Sequence, residues 1–175
     1  MYVSHAPEGV LVTTIKLDDH LCFKLYVASR LIIRGYGEEL APLDLTYPKY
    51  LVLLALSEDN GQTVSSLAAR LSLDFGTLSP LLKSLSQSGY IDRRRQADDE
   101  RVVANHLTPT GRSVLKKAMA VAVDLFCKTE MTHAELVELR DQMDDYIQRC
   151  QRILDEKASH SRPPQGGRKP RTPLS

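Results

Sequence analysis

The segment from residue 72 to 106, SLDFGTLSPLLKSLSQSGYIDRRRQADDERVVANH, constrains the fold more than any other part of the chain. Its first half places leucines at helical spacing after a polar start at Asp74, and Gly89 suits the left-handed end of that helix. Two short runs with the composition of strands follow, over residues 90–94 and 101–107, separated by a charged tip at residues 96–100. A short helix joined to a charged β-hairpin predicts a winged helix-turn-helix.

Amphipathic helices are predicted on both sides of this segment. Their starts are marked by residues that cap helices well, namely Asp18 or Asp19, Thr46, Thr63, Asp74, Thr108 and Thr132. Pro80 falls well inside the fourth helix if Asp74 caps it, so we expect a tightened or irregular opening there. The predicted order is helix, helix, helix-turn-helix, wing, helix, helix, which is a mostly α fold with a small β-wing.

The helices outside the winged helix-turn-helix exceed what a minimal reading module needs. Such long amphipathic ends are typical of an intertwined homodimer joined through its N- and C-terminal helices, and a two-fold dimer matches a palindromic DNA site. From residue 158 the composition turns to Ser, Pro, Gly and Arg, which predicts disorder. We therefore divide the chain into an N-terminal arm (1–16), dimerisation helices (17–45 and 108–156), a DNA-binding domain (46–107) and a disordered basic tail (157–175).

The overall charge does not itself indicate a nucleic-acid partner, since 23 basic residues stand against 22 acidic ones. Binding to double-stranded operator DNA must then come from cations in particular places, which the sequence offers at Arg70, Lys83, Arg93, Arg94, Arg95 and Arg101. Three cysteines without a recognisable secretory signal favour a reducing cytoplasm, and no apolar run is long enough to cross a membrane.

The helix that begins at Asp74 is the candidate reading helix. Its small, polar start would present Thr77, Ser79 and the backbone of Gly76 to base edges in the major groove. Lys83 lies one turn further on and is placed for a phosphate.

The wing carries the arginines and an unexpected group of acids. Arg93, Arg94 and Arg95 precede the tip, and Asp98-Asp99-Glu100-Arg101 forms its far side, where acids should repel DNA. The simplest interpretation is that Asp99 holds Arg101 in a fixed pose, from which the guanidinium enters a minor groove. Taken alone, the charged hairpin is also explained as a solvated surface.

Cys22 stands near the start of the first helix, where the helix dipole favours a thiolate. Asp18 and Asp19 oppose that effect, so hydroxyl donors would help. Tyr36 is such a donor, 14 residues further along nearly the same helix face. The two side chains are about 21 Å apart along the axis and cannot meet within one chain.

Two copies of this helix could bring the cysteine and the tyrosine together if they cross antiparallel near residue 29. Ala28 and Ser29 are small enough there for a close approach. The simpler interpretation for each cysteine is a small buried hydrophobe, and it fits Cys150 best because that residue lies on the apolar stripe of the last helix.

Together these motifs resemble those of the MarR family, and within it the organic hydroperoxide-sensing repressors of the OhrR type with two cysteines. The segments that carry the resemblance are LCFKLYVASR (21–30), LTYPKYLVLLAL (45–56), LSLDFGTLSPLLKSL (71–85), GYIDRRR (89–95), DDER (98–101) and LTPTGR (107–112). One departure is Phe75, which stands where a small polar residue is expected.

The resemblance implies a role for each motif residue. Cys22 would be the peroxide sensor, hydrogen-bonded by Tyr36 and Tyr47, and Cys127 would be the resolving cysteine that forms an intersubunit disulfide with it. The same resemblance makes Asp99 and Arg101 the wing acid and arginine. The implied function is a repressor that binds palindromic operator DNA when reduced and releases it when an organic hydroperoxide oxidises Cys22. No cofactor is implied.

Three other functions compete with this one. A MarR-type repressor released by a phenolic ligand would keep the DNA reader and make Cys22 a core residue. A metal sensor would use His20, Cys22 or His133, which form no compact ligand pair. An enzyme is disfavoured because the sequence has no phosphate-binding loop, nucleophile elbow or dinucleotide-binding glycine pattern.

Overall fold

The computed structural model describes residues 16–95 and 103–160. The helices and strands in chain order are α1 (Leu21–Leu40), α2 (Tyr47–Glu58), β1 (Gln62–Thr63), α3 (Val64–Leu71), α4 (Phe75–Gln87), β2 (Ile91–Arg95), β3 (Val103–Leu107), α5 (Pro109–Cys127) and α6 (His133–His160). The prediction of a mostly helical chain with a small sheet is confirmed. Helix α6 runs past the predicted boundary at residue 157. Residues 1–15 of the predicted arm (1–16) and residues 161–175 of the predicted tail lie outside the described residues.

Side-chain caps start most of the helices where the sequence predicts them. The cap oxygen accepts the backbone N–H three residues on at Thr46, Thr63, Asp74 and Thr108, at 3.5, 3.2, 2.8 and 3.0 Å. Helix α1 is the exception, because its N-cap is His20 and no side chain caps it. The prediction that an aspartate caps α1 is therefore wrong; Asp18 and Asp19 instead lie in a separate 3-10 turn, Leu17–Asp19.

Pro80 does not disturb the start of α4, contrary to the irregular opening that the sequence predicted. The helix is regular from Phe75 onward with Pro80 inside it. A proline leaves the carbonyl four residues before it without a helical N–H partner. Here that carbonyl belongs to Gly76, which is exposed, so water can take the place of the missing donor.

A three-stranded antiparallel sheet in the order β1-β3-β2 forms the wing. Gln62 of β1 and Arg93 of β2 both lie opposite Asn105 of β3. The sequence did not predict β1, which is only two residues long. Gly61 and Gly89 have φ values of 87° and 72°, so both turns need the left-handed conformation that glycine adopts without strain.

The chain divides into two compact units, Met1–Thr129 and Glu130–Ser175. In the first unit the core lies between the end of α1 and helices α2 to α4, where the fully buried side chains include Leu40, Leu53, Leu56, Leu67, Leu78, Leu82 and Leu85. In the second unit the predicted capping box opens α6: Thr132 N–H donates to Glu135 Oε2 at 2.7 Å, and Glu135 N–H donates to Thr132 Oγ1 at 3.3 Å. None of the helices in the described ranges is long and apolar enough to cross a membrane.

Candidate nucleic-acid interface and redox site

Two hydrogen bonds between Asp74 and Thr77 organise the exposed start of α4. Asp74 Oδ1 accepts the backbone N–H of Thr77 at 2.8 Å, and Asp74 Oδ2 accepts the Thr77 hydroxyl at 2.8 Å. The hydrogen bond from the Thr77 hydroxyl has the larger effect and that from the Thr77 N–H the smaller, and together they hold the pKa of the Asp74 carboxyl below its usual range. Gly76 leaves room for the Asp74 carboxylate, because a Cβ there would lie 3.0 Å from Asp74 Oδ1. Three of the predicted DNA-binding residues therefore meet at this helix end.

The outward side of α4 carries the other two candidates on this helix. Ser79 and Lys83 are exposed, one turn apart, while Leu78, Leu82 and Leu85 on the opposite side are fully buried. Burial of these leucines fixes the rotation of α4 about its own axis, so that Ser79 and Lys83 face outward. Such a face can bind base edges near the helix start and a phosphate one turn later.

Strand β2 supplies the arginines of the wing, and all three are exposed. Arg94 Nε donates to Asp92 Oδ2 at 2.7 Å, which lowers the pKa of the Asp92 carboxyl. Arg93 and Arg95 point to the other side of the strand, since side chains alternate along it. Two further wing candidates, Asp99 and Arg101, lie outside the described residues.

The three thiols are free. Cys22 is the second residue of α1 and is exposed, so it stands in the first helical turn as the sequence predicted. Asp18 forms an ion pair with Lys24 at 3.6 Å, which offsets the repulsion that this carboxylate would exert on a thiolate. Cys127 is the last residue of α5 and is also exposed, whereas Cys150 on α6 is half-buried.

The tyrosines that the resemblance assigns to the sensor form one cluster. The rings of Tyr36 and Tyr47 are 4.7 Å apart, and Tyr50 stacks on Tyr36 with a centroid distance of 5.8 Å. Burial, followed by the charges of its two neighbours, raises the pKa of Tyr36 to about 12. Burial also raises the pKa of Tyr47. Both hydroxyls therefore stay protonated at neutral pH, and neither has a hydrogen-bond partner within the described part of the chain.

Packing between α1 and α5 places Cys127 at the same end of α1 as the tyrosines. A Cβ on Gly35 would lie 3.1 Å from Leu125 Cδ1, so the two helices approach closely there. Lys128, next to Cys127, forms an ion pair with Glu39 at 3.8 Å. Cys22 lies at the other end of α1, 13 residues before Gly35 and about 20 Å along the axis.

Tyr50 is a site residue that sequence reasoning missed. It lies three residues after Tyr47 on α2, a spacing that puts both rings on one helix face, and this spacing could have indicated it. The packing of Leu125 on Gly35 had no such signal, because it depends on how α5 lies across α1. Within residues 16–95 and 103–160, no group of His, Cys, Asp and Glu is arranged to hold a metal ion.

Comparisons with known proteins identify the type of regulator. Residues 36–118 match a family model described as transcriptional regulator SarA/Rot. The organic hydroperoxide resistance transcriptional regulator of Bacillus subtilis is 38% identical over 126 residues, which cover 72% of this chain and 86% of that one. The HTH-type regulator SarZ of Staphylococcus saprophyticus is 37% identical over 131 residues, 75% of this chain and 90% of its own. This chain belongs to the MarR family.

A solved structure of a DNA complex supports the same assignment. The structure of reduced AbfR bound to DNA superposes with a TM-score of 0.68 at 32% identity, covering 79% of this chain and 94% of that one. As a MarR-family member, this chain is a winged-helix transcriptional regulator and not an enzyme. The exposed start of α4 and the arginines of β2 are then the candidate DNA interface within a known type of reader.

Proposed function

We propose that this MarR-family regulator is a peroxide-responsive repressor. When reduced, it binds a palindromic operator in the cytoplasm; when an organic hydroperoxide oxidises Cys22, that residue forms an intersubunit disulfide with Cys127 and the DNA is released. The observation that carries the proposal is the distribution of residues along α1. Tyr36, Tyr47 and Cys127 gather at its C-terminal end, and Cys22 lies at its N-terminal end.

A homodimer would bring Cys22 close to the tyrosines and Cys127, from which it is separated within one chain by the length of α1. If two copies of α1 cross antiparallel near residue 29, Cys22 of each subunit reaches the tyrosines and Cys127 of the other. Ala28 and Ser29 are exposed and small at the proposed crossing. Large apolar side chains are exposed along α1 and α5, as expected of faces that a second subunit covers: Leu21, Leu31, Ile32, Ile33, Met119, Val123 and Phe126.

The chemistry of the switch follows from this arrangement. The Cys22 thiolate attacks the peroxide oxygen, giving a sulfenic acid and an alkoxide that takes up a proton to leave as the alcohol. The thiol of Cys127 then displaces water from the sulfenic acid and forms the disulfide. A disulfide holds its two Cα atoms about 4.4–6.8 Å apart, so the bond pulls α5 of one subunit toward α1 of the other. That movement changes the separation of the two reading helices.

Tyr36 and Tyr47 would act before the oxidation step. Their protonated hydroxyls donate hydrogen bonds to the thiolate of Cys22, and such bonds to a charged group contribute about 1.5–3 kcal/mol each. Once the sulfur is a sulfenic acid, the negative charge that these bonds stabilise is gone. The two hydroxyls therefore stabilise the reactive thiolate, and oxidation of Cys22 breaks this arrangement.

Mixed dimers test the pairing of the two cysteines directly. A Cys22→Ser chain and a size-tagged Cys127→Ser chain, both also Cys150→Ser, are refolded together and treated with cumene hydroperoxide. We expect a crosslinked mixed dimer on a non-reducing gel and no crosslink for either chain alone. A disulfide within one chain would give no crosslink in the mixture, because neither chain then carries both cysteines, and that result would contradict the proposal.

A second candidate function is release of DNA by a phenolic ligand. An open surface depression of about 580 Å³ runs along α1, lined by Tyr26, Val27, Arg30, Leu31, Ile33 and Arg34, and its two arginines suit a phenolic carboxylate. Leu31 and Ile33 also belong to the face that a second subunit would cover. The Cys22→Ser variant separates the two functions. If salicylate releases DNA from this variant as from the wild type, the ligand function is supported; under the peroxide proposal neither salicylate nor peroxide releases it.

A further inference from the structure

Phe75 is an exposed aromatic residue at the start of the reading helix. It is the first residue of α4, and 58% of its surface is accessible. It is not a member of the buried core, which α4 joins through Leu78, Leu82 and Leu85. Long side chains on a helix lean toward its N-terminus, so the ring projects past the end of α4 that enters a major groove in helix-turn-helix proteins.

The polar groups beside Phe75 are already engaged. Both carboxylate oxygens of Asp74 accept hydrogen bonds from Thr77, and the hydroxyl proton of Thr77 is used in one of them. Gly76 has no side chain to offer. The ring of Phe75 is therefore the largest free group that this helix end presents to a base pair.

We propose that Phe75 is a specificity-determining residue that contacts the 5-methyl group of a thymine in each operator half-site. The inference rests on the proposed function in taking α4 as the helix that reads operator DNA. In the major groove, thymine is the base that presents a methyl group, and apolar side chains recognise it by contact. A phenyl ring offers no donor or acceptor to the polar base edges, so the contact selects thymine over cytosine.

Replacing thymine by deoxyuridine isolates this contact, because it removes the methyl group and keeps the base pairing. The probe is a duplex selected from a random library by the reduced full-length protein, with each thymine replaced in turn. We expect one position in each half-site at which the replacement weakens wild-type binding about fourfold, as burial of a single methyl group predicts. Replacements outside the protected region serve as the control and should have no effect.

Variants at position 75 assign the effect to the ring. Phe75→Ala should bind the parent duplex more weakly and lose sensitivity to deoxyuridine at that position, while Phe75→Leu should keep part of both. Circular dichroism of each variant checks that α4 still folds. Because Phe75 is exposed, we expect unchanged helix content.

Three results would overturn the inference. If no deoxyuridine replacement weakens wild-type binding, the protein makes no energetically significant contact with a thymine methyl group. Sensitivity that persists in Phe75→Ala would assign the contact to another residue, and either result would leave the proposed function intact. Failure of the reduced wild-type protein to select any duplex would instead overturn the proposed function together with this inference.

Discussion

The reading region (helices α2 to α4) and the proposed sensing helices (α1 and α5) differ in how completely they bury their own apolar side chains. In the reading region, helices α2 to α4 bury Leu53, Leu67 and Leu82 fully within one chain. Along α1 and α5, residues such as Ile32 and Val123 remain 48% and 64% exposed. The reading helices bury their apolar sides within one chain, together with the end of α1 and part of α5, whereas much of the surface of α1 and α5 stays exposed. Under the proposed function a second subunit covers that exposed face, and coupling between the two regions then requires a dimer.

A charge placed on the exposed face of α1 tests whether that face is covered by a second subunit. Ile32→Glu should leave the reading core folded but prevent dimerisation, because it would place an unpaired carboxylate in the interface. Operator affinity should then fall by about a hundredfold, since two linked readers gain at least that factor over one. Analytical ultracentrifugation and fluorescence anisotropy measure the two effects. A variant that remains dimeric would contradict the assigned interface.

A substitution in the reading core should behave in the opposite way. Leu82→Ala removes a fully buried side chain and should lower the free energy of unfolding by about 2–5 kcal/mol. Urea denaturation measures this loss. The rate of Cys22 oxidation should change little if the sensing helices keep their arrangement, and a large change in that rate would show that the two regions are not separable.

The buried tyrosines provide a finer test within the sensing region. Tyr36→Phe removes one donor to the thiolate and should slow oxidation by cumene hydroperoxide about tenfold at pH 7, from the lower end of the energy of a charged hydrogen bond. Stopped-flow thiol loss measures the rate. Tyr90→Phe is the matched control, because the Tyr90 hydroxyl donates to the carbonyl of Leu43 at 3.0 Å and should not affect the rate.

Alkaline pH tests the burial of Tyr36 without a change of sequence. The pKa of Tyr36 is about 12 in the folded chain and ordinarily about 10, so the folded state favours the protonated ring. The resulting stability is present below pH 10 and is lost as the pH rises toward 12, by about 2 kcal/mol. Thermal melts between pH 9 and 12 measure the decline. In Tyr36→Phe the decline should be shallower; an identical decline would mean that other groups cause it.

The sequence allowed much of the reading region to be predicted, because local chemistry determines it. Thr46, Thr63 and Asp74 cap helices through hydrogen bonds to the backbone N–H only three positions further along the chain. Gly89 follows α4 in the left-handed conformation. Pro80 misled the prediction because its effect depends on solvent reaching the Gly76 carbonyl.

The proposed sensing site was harder to predict because it depends on long-range packing. The 14-residue spacing of Cys22 and Tyr36 predicted that these two lie far apart on one helix, and the resemblance to OhrR-type repressors indicated Tyr47 and Cys127. Neither indicated that Cys127 lies at the tyrosine end of α1, which follows from the contact of Leu125 with Gly35 between residues 90 positions apart. No local pattern contains that information.

The most direct test of coupling between the two regions is operator affinity before and after oxidation. Anisotropy of a labelled, selected duplex is measured with reduced wild-type protein and again after one equivalent of cumene hydroperoxide per subunit. We predict an affinity loss of at least about tenfold that parallels formation of the Cys22–Cys127 crosslink and is reversed by dithiothreitol. Full oxidation of Cys22 with unchanged operator affinity would contradict the account.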